Sequence, residues 1–235
     1  MTPIMRQDGR KPQDLRSITF QKRFIEHHPG SVLVCYGKTK VVVTATISNQ
    51  LPQHRKEIGK GWLSAEYGML PGSTHDRKSR PGPKGPDGRS IEIQRLIGRA
   101  LRQAVDIDQL GPRAITVDCD VLQADGGTRT AAITGGWVAI ALLLKQLRLD
   151  HLLVRQVAAV SIGIKGEQVL TDINYEEDVS IDTDFNLVAC QDGTIVELQG
   201  AAEGNPMKAN LILEVLRQGL PAIAQICRLQ LEAIQ

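Results

Sequence analysis

The chain has 235 residues, 42% hydrophobic and 23% charged, with a formal net charge of +2. That length and apolar content support a packed core and exclude a disordered or collagen-like chain, while near-neutrality excludes a global basic field for nucleic acid. The longest uncharged stretch, residues 130–144, falls short of the ~20 residues of a bilayer span and contains a Gly-Gly pair, so no membrane helix is expected.

Residues 1–16 alternate charged and polar side chains where a secretory signal would place an apolar segment, which reads as a cytoplasmic protein. Cys35, Cys119, Cys190 and Cys227 are far apart and form no C-x-x-C pair, so they are expected to be buried small hydrophobes. Charge is unevenly spread. Residues 77–102 hold eight basic side chains (Arg77, Lys78, Arg80, Lys84, Arg89, Arg95, Arg99, Arg102) against Asp87 and Glu92. Residues 166–207 hold ten acids and no Lys or Arg. The first region attracts polyanions, and the second must meet cations from a metal, a neighbouring arginine patch or solvent.

In chain order, residues 31–36 and 40–48 are β-branched strands joined through Gly37-Lys38-Thr39 as a hairpin. This segment ends Gly-Lys-Thr like a phosphate loop, but six residues rather than four separate the glycines, and they form a strand. Residues 62–70 are a further strand. Residues 71–88, with Pro71, Pro81, Pro83 and Pro86, are a long loop, of the kind that often carries function. A helix then begins at Ser90, with Arg95, Arg99 and Arg102 on one face. Residues 114–122 are a strand whose acidic face carries Asp118 and Asp120, read as structural partners for backbone or arginine groups. A second helix covers residues 130–147, and Gly135-Gly136 would let another element approach closely. Residues 157–164 are a strand buried on both faces. Residues 182–190 and 194–199 pair across Asp192-Gly193, and a last helix covers 209–234 with a break allowed at Pro221. The irregular order of strands and helices indicates one mixed-sheet α+β domain spanning residues 1–235, without a linker. Asp87-Gly88-Arg89 and Asp125-Gly126-Gly127-Thr128-Arg129 both lead into helices, an echo of internal β-α-β duplication.

Two glycines, a hydroxyl and an arginine ahead of a helix make an anion site on physical grounds: free amides and the dipole point at the ligand, and Arg129 offers a fork for phosphate oxygens. Arg89 stands in the same place relative to its own helix. The bland alternative makes Thr128 a helix cap and both arginines solvated charges, and composition does not choose between the two. Asp182 and Asp184 share a strand face roughly 6.5–7 Å apart, with Asp178 arriving from the preceding turn, a geometry that suits Mg²⁺ or simply an exposed acidic face. The five histidines form no ligand or triad pattern, and with aromatics at 3% any RNA contact falls on backbone rather than stacked bases.

The runs GWLSAEYGMLP (61–71), EIQRLIGR (92–99), DCDVLQADGGTRTAAITG (118–135) and ELQGAAEG (197–204) resemble the ribonuclease PH family. The resemblance extends from Arg6 to the C-terminal helix. It implies the ribonuclease PH fold and a phosphate-dependent 3′-to-5′ exoribonuclease, a tRNA nucleotidyltransferase trimming the 3′ ends of tRNA precursors and other RNAs. It further implies reversible release of nucleoside diphosphates, a homohexamer built as a trimer of dimers, Mg²⁺ as cofactor and inorganic phosphate as co-substrate. Arg89, Gly127, Thr128 and Arg129 match the phosphate-binding positions, and Asp178 and Asp184 the catalytic or metal-binding carboxylates. Arg77 and Arg80, with Arg95 and Arg99, are the expected RNA contacts. Gly72 stands where the family usually has arginine, Val179 and Ile181 where it has small residues, and Met207 where phenylalanine is common. A catalytically silent RNA-binding ring subunit of an exosome-like assembly is the alternative, but such a subunit needs neither the arginines nor the aspartates.

Overall fold

The computed structural model describes residues 6–56, 59–83, 85–203 and 206–235. Lys84 of the basic run and Gly204 of the last motif lie outside them. The β-branched N-terminal third forms an antiparallel meander of β1 (Ile18–Lys22), β2 (Ser31–Tyr36) and β3 (Thr39–Ser48), with the predicted tight turn between Tyr36 and Thr39. After the short α1 (Gln53–Lys56) come β4 (Trp62–Met69), α2 (Gly88–Arg102) and β5 (Ala114–Gln123). β4 and β5 run parallel, so α2 is the crossover of a β-α-β unit. β5 also pairs antiparallel with β3, giving a five-stranded sheet in the order β1-β2-β3-β5-β4.

α3 (Thr128–Gln146) carries the chain out of this sheet, through a single 3-10 turn at Asp150–Leu152, into β6 (Val157–Lys165) and β7 (Gln168–Thr171). Then follow α4 (Tyr175–Asp178), β8 (Thr183–Cys190), β9 (Ile195–Ala202) and α5 (Asn210–Ile234). The second sheet is antiparallel throughout, ordered β7-β6-β8-β9.

α3 is apolar on every side and is accordingly buried, packed on β2 and β3 with one flank and on β6 with the other. One hydrophobic core thus runs from sheet to sheet through it. A Cβ on Gly135 would stand 2.6 Å from Val34, and one on Gly136 would stand 2.7 Å from Leu101, so the glycine pair admits the close approach expected of it. α2 starts two residues before Ser90, because the Asp87 carboxylate caps it by accepting from the Ser90 amide at 2.7 Å. α5 does not break at Pro221. Val215, Gly219, Ala222, Ile223 and Ile226 stay buried on either side of the proline, and that packing outweighs the one hydrogen bond proline cannot donate. All four cysteines are free, and Cys119, Cys190 and Cys227 are buried. No described helix is long and apolar enough to cross a membrane.

Candidate active site

The N-terminus of α3, the first turn of α2 and the segment from α4 into β8 converge on a cavity of about 600 Å³. Arg89, Gly127, Thr128, Arg129, Asp178 and Asp184 all line it, so the anion motif and the paired acids form one site. The cap alternative for Thr128 fails. The residue at the N-cap is Gly127, left-handed at φ 65°, and it makes no side-chain cap hydrogen bond. Thr128 Oγ1 instead shares a 2.8 Å hydrogen bond with the Tyr67 hydroxyl. The first-turn amides of α3 therefore remain open to a ligand, with the positive end of the dipole behind them. Gly126 is required beside them, since at φ +76° a Cβ would stand 2.7 Å from the Asn174 and Ile173 backbone.

Asp178 closes α4, a short helix fixed by a capping box between Asn174 and Glu177. Its carboxyl is raised above the ordinary carboxylate range, first by partial desolvation and then by the charge of Asp184, while Arg89 and Arg129 oppose the shift. Asp184 lies on β8, half-buried, and faces the same cavity. Asp182 does not join it. β8 begins only at Thr183, and the Asp182 carboxylate turns back to accept from the Gly166 amide at 2.6 Å, on a different cavity shared with Lys208.

Cations for the buried part of the acidic region come from the N-terminal segment, while Arg99 and Lys208 pair with Glu197 and Glu167 at the surface. Arg6 forms a bidentate pair with Glu177 at 2.7 and 2.8 Å and donates to the Thr171 and Asp172 carbonyls. Arg16 grips the fully buried Asp172 through Nε at 3.1 Å and Nη2 at 2.7 Å, and its Nη1 reaches the Asp125 carbonyl at 2.6 Å. These arginines thereby hold α4 and the turn ahead of α3, the two elements that present Asp178 and the phosphate motif. Sequence reasoning did not single them out. The signal available was the uncompensated acidic stretch itself.

Among the expected RNA contacts, Arg77 and Arg80 are exposed on the long loop, and Lys78 beside them reaches the cavity. The helical trio does not line it. Arg95 is exposed, Arg99 is paired with Glu197 through two 2.6 Å bonds, and Arg102 lies over the Trp62 ring while donating to the Leu63 carbonyl. Asp118 and Asp120 meet no arginine among the described residues. They share the outer face of the first sheet with Glu66, and burial raises both carboxyls, Asp118 further so through Glu66 and Asp120.

Residues 14–144 match the model for domain 1 of the 3′ exoribonuclease family, and residues 155–222 match domain 2. Among solved structures, the chain is similar to rice (Oryza sativa) Rrp46, with 17% identity and a TM-score of 0.81 over 98% of this chain and 100% of that one. It is also similar to a chain of the Archaeoglobus fulgidus exosome with RNA bound to the active site, with 26% identity and a TM-score of 0.79 over 95% and 91% of the two chains. A chain of an archaeal exosome core is 24% identical, with a TM-score of 0.76 over 96% and 90%. With both domain models matched in order across the two sheets, the chain belongs to the 3′ exoribonuclease family of the ribonuclease PH type.

Proposed function

We propose that this protein is a phosphate-dependent 3′-to-5′ exoribonuclease that trims the 3′ ends of tRNA precursors and other RNAs, as a cytoplasmic hexamer built from three dimers. One observation carries the reading: two arginines, an uncapped helix N-terminus and two carboxylates meet in a single cavity. Inorganic phosphate is held by Arg129, Arg89, Thr128 and the amides of residues 127–129. A phosphate oxygen attacks the phosphorus joining the last two nucleotides, the bond to the 3′ oxygen of the shortened RNA breaks, and a nucleoside diphosphate leaves. In-line positioning and charge neutralisation account for most of such catalysis, because little covalent chemistry falls to the protein. Asp178, raised by partial desolvation and by Asp184, keeps a proton to higher pH than an ordinary carboxyl, and the pair serves the leaving 3′ oxygen. Since a phosphodiester is exchanged for a phosphoanhydride, the reaction runs in both directions.

Mg²⁺ fits the same pair. Two mutually repelling carboxylates are hard oxygen donors, and Mg²⁺ is ordinarily held by one or two of them with water and substrate phosphate. Asp178 and Asp184 would hold the ion, with water and substrate phosphate as its other ligands. When bound, the ion supplies charge neutralisation between the two anionic reactants.

Incubating a 3′-extended RNA with and without phosphate tests the reading. Nucleoside diphosphates formed only with phosphate support it, and monophosphates or undiminished activity without phosphate reject it. Likeness to exosome chains favours one second reading, a silent RNA-binding ring subunit. RNA binding without any product in that assay would select it.

A further inference from the structure

The second sheet contributes two buried polar side chains to the lining of the cavity. Ser161 on β6 and Asn186 on β8 are directly opposite each other in register, so they point to the same face, which Asp184 shares two residues from Asn186. Both are more than nine-tenths buried, at 5% and 6% exposure, and both line the cavity. Among the described residues Ser161 Oγ is buried without any hydrogen-bond partner. Ser161 Oγ lies 3.3 Å from where a Cβ on Gly127, the N-cap of α3, would stand. A buried hydroxyl left unsatisfied costs about 1–3 kcal/mol, and natural folds rarely keep one without a use.

We propose that Ser161 and Asn186 form the neutral floor of the anion seat, donating Oγ–H and Nδ2–H to oxygens of inorganic phosphate held at the N-terminus of α3. This rests on the phosphorolytic reading and deepens it. The arginines and helix amides supply positive charge from the rim, but the side of the anion nearest Asp184 faces a carboxylate. Neutral donors between the two give that side of the phosphate hydrogen bonds without neutralising the aspartate, which must keep its own charge or proton for the leaving oxygen.

Titration calorimetry with inorganic phosphate on wild type, Ser161→Ala, Asn186→Ala and Asn186→Asp tests the floor, alongside urea melts and RNA affinity. Both alanine variants should bind phosphate roughly tenfold to a hundredfold more weakly, the range for one hydrogen bond to a charged group. RNA affinity should be unchanged. Ser161→Ala should be as stable as wild type or more so, because no protein partner is lost. Asn186→Asp keeps the shape but places a negative acceptor against the anion, and should weaken binding further than Asn186→Ala. Wild-type phosphate affinity in Ser161→Ala and Asn186→Ala, or a Ser161→Ala protein whose weaker binding comes with lost stability, overturns the proposal while leaving phosphorolysis standing. A wild-type protein that neither binds phosphate nor forms diphosphates overturns both.

Discussion

The buried pair Arg16–Asp172 allows stability and phosphate binding to be separated. Asp172 is completely buried and Arg16 nearly so, with contacts of 2.7 and 3.1 Å between them. Removing either partner alone, in Arg16→Met or Asp172→Leu, leaves a buried charge without its close partner, Asp172 keeping only the 3.8 Å contact with Arg10, a loss of up to about 3–5 kcal/mol. Against a total stability of about 5–15 kcal/mol that is a large fraction. Replacing both partners removes both charges, and buried pairs exchanged for apolar residues are often neutral in stability. The double variant Arg16→Met/Asp172→Leu should therefore recover part of what each single variant loses, the remainder being the residue 16 amide left without its 2.7 Å acceptor and a leucine held at the left-handed φ of 53°. It should not recover function. Arg16 Nη1 also holds the Asp125 carbonyl at 2.6 Å, and without it the turn ahead of α3 loses its fixed position. Urea melts of the four proteins give the coupling energy, and phosphorolysis against phosphate concentration gives the second readout. Single variants losing under ~1 kcal/mol would refute the stability argument, since it requires an isolated buried charge. A double variant with wild-type phosphate dependence would refute the positioning role of Arg16.

Asp184→Asn should lower the single-turnover rate by ~10²–10⁴ with phosphate and RNA still bound, whereas Asp182→Asn, facing another cavity, should keep most of its activity. Equal losses in the two variants would reject that division. Arg129→Ala should strongly raise the phosphate concentration needed for half-maximal rate while leaving RNA affinity nearly unchanged; wild-type phosphate dependence would remove Arg129 from the site. A Cβ on Gly72 meets nothing within 4 Å, so Gly72→Arg is sterically free and should tighten RNA binding and steepen its salt dependence by about one unit of slope. An unchanged plot of log affinity against log salt would show that position 72 does not face RNA. Asp118 and Asp120 have carboxyls raised by burial, so the folded state binds more protons than the unfolded one and their charged forms oppose folding. Asp118→Asn and Asp120→Asn should therefore stabilise the protein at neutral pH, and the gain should shrink as pH falls toward the ordinary carboxylate value of 3.8. A gain that grows on acidification would contradict that sign.

Local patterns were legible in the amino-acid sequence because they are set by neighbours. The strand alternation at 114–122, the helix entered from Asp125-Gly126-Gly127-Thr128-Arg129 and the turn at Asp192-Gly193 each depend on residues a few positions apart. The motif alone marked a candidate anion seat, yet only the left-handed Gly127 and the Tyr67–Thr128 bond excluded the capping alternative. Likewise, period-two alternation placed Asp182 beside Asp184, and the late start of β8 separated them, because the turn at Gly166 offered Asp182 a backbone amide. Ser161 and Asn186 stand 25 positions apart in the sequence and are brought together by strand register. Arg6 and Arg16 meet Glu177 and Asp172 across 171 and 156 residues of chain. No periodicity reports a contact at that separation; it exists only once the two sheets close around α3 and burial makes an unpaired charge too costly to leave.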